Sequence, residues 1–148
     1  MSLLSGLNHV AILTADLDRF VEFYTRIFGL ETVFTQSAPV RHAILRIGKD
    51  SWLHPAEIPA NVHSTAISAM FQRGHLDHIA LTATSKESFE RIRRSLVESQ
   101  ASDGAVADLG PFRTLWFEDP DGMRGELTLI VNSRLSGIHE PRPLNSRS

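Results

Sequence analysis

Apolar and polar residues change their spacing along the chain in a set order, and that order occurs twice. Over residues 9–13, Val10 and Ile12 face one side of an extended segment while His9, Ala11 and Leu13 face the other, which predicts a strand. The spacing then lengthens. Phe20, Phe23, Ile27 and Phe28 recur at helical intervals, with Asp16 placed to cap the start of the helix and Gly29 just past its end. Sliding the sequence on itself by 69 residues lays HVAILTADLDRFVEFYTRIF over HIALTATSKESFERIRRSLV. His9 then falls on His78, Val10 on Ile79, Ile12 on Leu81, Phe20 on Phe89, Phe23 on Ile92 and Ile27 on Leu96. In the second copy Thr84 and Glu87 form a capping-box pattern.

Three apolar-rich stretches follow each helix. In the first half they are residues 31–35, 41–47 and 51–58, punctuated by Pro39 and by Gly48-Lys49-Asp50. In the second they are residues 105–109, 113–118 and 125–131, with the strong turn Asp119-Pro120-Asp121-Gly122 before the last. Each half therefore reads βαβββ. The expected fold is α+β: two paired βαβββ modules, at about residues 6–58 and 75–131, forming a cleft within one domain. Residues 59–74 show no period and read as a linker. The tail covers 132–148, and its stretch 137–148, with two prolines and few apolar residues, is expected to be mobile or wrapped on a partner.

Composition narrows the chemistry. A chain of 148 residues with 42% hydrophobic and 22% charged residues is long enough for a core without staples. The absence of cysteine excludes disulfides, thiol nucleophiles, iron–sulfur clusters and thiolate zinc sites. Fifteen basic residues against 17 acidic ones leave a net charge of −2, no field for nucleic acid or anionic lipid, so a small molecule is the expected partner. The N-terminus lacks the pattern of a signal peptide and no apolar run is of membrane-spanning length, so the expected location is cytoplasmic.

The repeat also singles out candidate ligands. His9 and His78 open equivalent strands on the face turned away from the helices, and a pseudo-twofold pairing of the modules would bring the two imidazoles together. In the last strand Leu127, Leu129 and Val131 form one apolar face, leaving Glu126 as the lone carboxylate on the other. Burying that charge unpaired would cost several kcal/mol. Two histidines and a carboxylate suit Fe(II), Mn(II), Ni(II), Co(II) or Zn(II), with positions left open for substrate.

The segments LNHVAIL, FYTRIFGLE, LDHIALTA and WFEDPDGMRGELTL resemble the vicinal oxygen chelate superfamily, which includes glyoxalase I, extradiol dioxygenases, methylmalonyl-CoA epimerase, fosfomycin-resistance transferases and bleomycin-binding proteins. The resemblance covers nearly all of residues 6–131, with the Asp-Pro-Asp-Gly turn and Glu126 as its most specific part. It implies a cleft often completed by a homodimer, and it puts His9, His78 and Glu126 where that superfamily places metal ligands.

A fourth ligand position is implied on the last strand of the first module, where His54 and Glu57 are alternatives of opposite parity. Leu53 reads as helix-facing, which turns Trp52 and His54 toward the cleft. Four ligands would suit lyase or epimerase chemistry with Ni(II), Zn(II) or Co(II). Three would leave room for a bidentate catecholate and dioxygen on Fe(II), with His54 free as a proton carrier. The second arrangement, an extradiol-dioxygenase-like oxidoreductase, is the expectation. The alternatives are a glyoxalase-like lyase or epimerase, a metal-free drug-binding protein, and a scaffold with a structural metal. His54 departs from the first-module carboxylate of glyoxalase I. The Trp52-Leu53 pair is similar to fosfomycin-resistance enzymes, but their Ser/Asn/Gly-rich potassium loop is missing. Among the remaining candidates, Tyr24 reads as core, Trp116 as core ahead of pocket lining, Trp52 as core or pocket, and His42, His63, His75 and His139 as surface, with a loop or partner role open to His75 and His139.

Overall fold

The computed structural model describes residue 3 and residues 6–59, 76–135 and 142–144. The chain divides into two compact units, Met1–Ala66 and Ile67–Ser148. The expected linker lies almost wholly outside the described residues, as do His63, His75 and His139.

The first unit begins with strand β1 (His9–Thr14), in which Ile12 and Thr14 are buried and His9, Ala11 and Leu13 are exposed. Helix α1 (Leu17–Phe28) follows. The Asp16 side chain accepts from the backbone N–H of Arg19, satisfying one of the donors a helix start leaves open. At the other end Gly29 takes the left-handed conformation, φ 69°, and the N–H groups of Gly29 and Leu30 close on the carbonyls of Thr25 and Tyr24. The helix buries Leu17, Phe20, Phe23, Tyr24 and Ile27, so Tyr24 is core as its position on the stripe implies. Three strands complete the unit: β2 (Glu31–Gln36), β3 (His42–Arg46) and β4 (Trp52–Glu57). The last strand returns to lie parallel to β1, giving the order β1-β4-β3-β2. Leu45 and Leu53 are fully buried on the helix side.

The second unit repeats this plan with β5 (Ile79–Thr82), α2 (Lys86–Glu98), β6 (Ala107–Asp108), β7 (Phe112–Glu118) and β8 (Arg124–Ile130). Strand β8 returns parallel to β5 just as β4 returns to β1. Phe89, Leu96, Leu115 and Leu127 form the buried centre. The hairpin between β7 and β8 turns where expected: Asp119 Oδ1 accepts from the N–H groups of Asp121 and Met123, and Gly122 supplies a positive φ of 79°.

Three expectations need correction. The α2 cap is Ser85, whose hydroxyl accepts from the N–H of Ser88, while Thr84 stands one residue outside and meets the Ser88 hydroxyl. Glu87 is still tied to this end. A hydrogen bond from its own backbone N–H and one from the Ser85 hydroxyl hold its carboxyl below the usual range. The strand expected over residues 105–109 shrinks to two residues. Asp103 and Asp108 accept from the N–H groups of Ala105 and Gly110, and these local side-chain bonds compete with the sheet ladder. Part of the tail is also more ordered than anticipated. Residues Arg142–Pro143 form strand β9, antiparallel to β6, and extend the sheet to the order β5-β8-β7-β6-β9. Among the described residues no helix is long and apolar enough to cross a membrane.

Close approach of β7 and β8 depends on Gly125, because a Cβ there would overlap the ring of Phe117. Gly125→Ala should therefore lower stability by about 1–3 kcal/mol, the usual cost of overpacking, and Phe117→Leu in the same chain should recover part of it. Urea denaturation of the single and double variants checks this.

Candidate functional site

Burial of the helix stripe fixes which strand positions are free for chemistry. In the first unit Leu53, Pro55 and Glu57 of β4 point toward α1, so Trp52, His54 and Ala56 point away from it. The register lays His9 beside Trp52, Ala11 beside His54, and His42 beside Ala56. His9, His42 and His54 therefore share one face. The His9 and His54 ring centres are 5.7 Å apart, and those of His42 and His54 5.0 Å. His42 Nδ1 lies 2.9 Å from His54 Nε2, a hydrogen bond in which one ring donates and the other accepts. His42 is thus half-buried and engaged, not the surface residue expected. Its alternation with buried Ala43 and Leu45 turns it away from α1, and only the register of β3 against β4 brings it to His54. Burial, and then the neighbouring imidazoles of His42 and His9, hold His54 below its ordinary value.

Glu57 stands on the other side of the sheet. Its Oε2 accepts from the N–H of Leu17 and from Arg41 Nη1, both at 2.8 Å, and Arg41 also reaches Asp18. Glu57 therefore serves the start of α1, and of the two alternatives on β4 only His54 is on the face of His9.

In the second unit the corresponding face carries Ala80, Thr82, Glu126, Thr128, Thr114 and Trp116, as the register of β5, β8 and β7 requires. Glu126 is 7% exposed, the buried carboxylate its apolar strand implied. One of its oxygens, Oε1, accepts a short hydrogen bond from the Thr114 hydroxyl. The other, Oε2, lies 3.4 Å from His78 Nε2. His78 Nδ1 donates to Asp77 Oδ2 at 2.8 Å. The same arrangement recurs in the first unit, where His9 Nδ1 donates to Asn8 Oδ1 at 2.8 Å. Asn8 and Asp77 are themselves related by the 69-residue offset, a signal the sequence reading passed over. In both units the residue before the histidine fixes the ring with Nδ1 protonated, leaving Nε2 with a lone pair.

These donors fit a divalent ion. Two ligands at about 2.1 Å from one ion stand roughly 3.0 to 3.4 Å apart for octahedral to tetrahedral angles, which is the separation of His78 Nε2 and Glu126 Oε2. Each ligand's second atom is already occupied, by Asp77 and Thr114, as such sites require. Among the described residues no group of three such side chains stands ready to hold an ion alone. Trp116, expected in the core, is instead 41% exposed, because its position in β7 shares the face of Glu126; its ring meets His78 edge-on at 4.7 Å.

Residues 6–127 match the sequence profile of the Glyoxalase/Bleomycin resistance protein/Dioxygenase superfamily. The chain belongs to this superfamily. No curated protein matches it. Solved structures of the glyoxalase fold do. A glyoxylase/bleomycin resistance protein/dioxygenase domain from Frankia sp. EAN1pec is 21% identical, with a TM-score of 0.69 over 88% of this chain and 95% of that one. The fosfomycin resistance protein FosX from Mesorhizobium loti is 21% identical, with a TM-score of 0.57 over 84% and 91%. Lactoylglutathione lyase from Agrobacterium tumefaciens is 17% identical, with a TM-score of 0.57 over 86% and 96%. At these identities the likeness is one of fold.

The lowered His54 value has a direct test. Nuclear magnetic resonance titration should place its imidazole below 6.5, and His42→Ala should move it only part of the way back, because burial remains. The sign for stability follows: the unfolded chain takes up this proton before the folded one, so His54 opposes folding as pH falls below about 6.5 and has no effect well above it.

Proposed function

We propose that this protein is a metal-dependent enzyme acting on a small molecule with two neighbouring oxygens, with His9, His78 and Glu126 as ligands of a divalent ion. The reaction we assign is Fe(II)-dependent oxidation of the extradiol-dioxygenase type. The observation that carries the reading is the second-unit pair, in which a tethered imidazole and a tethered carboxylate aim their remaining donor atoms at each other across 3.4 Å. His9 repeats half of that arrangement through Asn8. Superfamily membership supports small-molecule chemistry at the coarse level.

Three ligands are preferred to four because His54 Nε2 is already engaged by His42. When bound, a ferrous ion in a two-histidine, one-carboxylate set would hold the neighbouring oxygens of a substrate and bring it together with dioxygen. The chain's own residues supply the rest. Asp77 and Thr114 keep His78 and Glu126 from turning away, at the cost of neither donor atom. His54 serves as the proton carrier. Burial keeps it neutral at pH 7, and in the tautomer where its Nε2–H donates to His42, its Nδ1 is free to take the proton of a substrate hydroxyl.

Calorimetric titration of the full chain with Fe(II), Mn(II) and Zn(II) under anaerobic conditions tests the ligand set. His9→Ala, His78→Ala and Glu126→Ala should each lose metal affinity by more than about 10²-fold, and Thr114→Val should lose about 10–100-fold. Glu31→Gln, at an exposed ion pair with Arg46, should not change it. Equal affinities across the set would overturn the assignment. His54→Ala should keep its metal and lose roughly 10²-fold in turnover. If the iron-loaded wild type takes up no oxygen with any of a panel of catechols while binding metal as described, the reaction is a lyase or epimerase type.

A further inference from the structure

We propose that the cavity beside Trp116 is a binding subsite for an aromatic zwitterion, a planar ring bearing an amino-acid-like end with one ammonium and one carboxylate. The cavity measures about 330 Å³ and is bordered by Trp116, Arg124, Glu118, Asp103, Gln100 and Ser102. That volume lies at the small end of the range for sites that take small molecules, about 300–1,000 Å³.

Its position follows from strand parity. Glu118 of β7 pairs with Arg124 of β8, one step along from the Trp116–Glu126 pair and two residues away on each strand. All four side chains therefore leave the sheet on the same face. Trp116 is the partition: one part of its ring meets His78 edge-on, and the residue also lines the cavity. An exposed tryptophan offers a large flat surface for a ring to stack on.

The charges select what the ring should carry. Opposite charges at directly opposed ladder positions ordinarily pair. Among the described residues Glu118 and Arg124 form no ion pair, and both line the cavity. Arg124 is half-buried, with a planar fork of donors suited to a carboxylate. Glu118, with Asp103 at the same cavity, suits an ammonium. A purely anionic ligand would meet two carboxylates, and a purely cationic one would meet the guanidinium. A zwitterion with the reverse arrangement of charge satisfies both sides. As a substrate subsite, reaching from Trp116 toward His78, this inference rests on the proposed function; as a binding site it does not.

The test uses the full chain in the presence of an excess of a strong chelator, so that metal plays no part. Calorimetric titration with L-phenylalanine, 3-phenylpropionate, 2-phenylethylamine and benzyl alcohol should show L-phenylalanine binding at least 10-fold tighter than the other three. Arg124→Gln should remove the advantage of the two carboxylates, and Glu118→Gln that of the two amines. Trp116→Ala should weaken all four. Failure of L-phenylalanine to bind, equal affinity for the four probes, or discrimination that survives both charge variants would overturn the subsite. Arg124→Gln should leave Zn(II) affinity unchanged. Zwitterion selectivity in a chain that binds no metal would sink the proposed function and leave the subsite standing.

Discussion

Every placement of a candidate site residue in either unit depends on the burial of one apolar stripe of a helix against one face of a sheet. A strand has a period of two, so committing Leu53 and Pro55 to α1, or Leu115 and Leu127 to α2, commits their neighbours to the opposite face. A shift of one residue would reverse every assignment. The apolar residues thus act on the polar ones at a distance of a single peptide, and the histidines stand where they do because the leucines beside them cannot stand anywhere else.

On that face the two units use one device for different purposes. A side-chain oxygen on the residue before a histidine accepts a hydrogen bond from that histidine's Nδ1, Asn8 for His9 and Asp77 for His78. The two histidines are thus held in the same tautomer, one by a neutral amide and one by a carboxylate. The faces differ more widely beyond that. The first unit adds His42 and His54 and aromatic Phe34, whose ring lies 5.5 Å from His42. The second unit adds hydroxyls, with Thr82 and Thr128 bonded at 3.0 Å. A repeat that keeps its framework can thus vary the chemistry it displays.

Much of this architecture can be read from the sequence because the 69-residue repeat is an internal control: any pattern in HVAIL that recurs in HIALT is unlikely to be accident. The strand and helix order, the Asp16 and Gly29 caps and the buried Glu126 follow from periodicity and from the cost of burying charge. What the sequence concealed was settled by contacts that no local pattern encodes. His42 looked like a surface residue because it has no counterpart in the repeat, yet the register of β3 against β4 brings it to His54. Trp116 looked like core because it is large and apolar, but parity ranks above size. The shortening of β6 and the arrival of β9 reflect a competition between side-chain turns and the sheet ladder, and a strand from far along the chain, neither of which a short window contains.

The bond from the Leu17 N–H to Glu57 spans 40 residues and joins the first turn of a helix to the last residue of the strand that closes its unit. A helix start carries partial positive charge, and here the carboxylate that answers it arrives only when β4 is in place, bringing Arg41 and Asp18 into the same cluster. The helix can coil earlier, but its leading end stays incomplete until then. Residue 57 thus acts as a clasp. A chain interrupted before β4 would leave α1 with a frayed beginning and β1 without its parallel neighbour, two open ends that a single strand closes in one step.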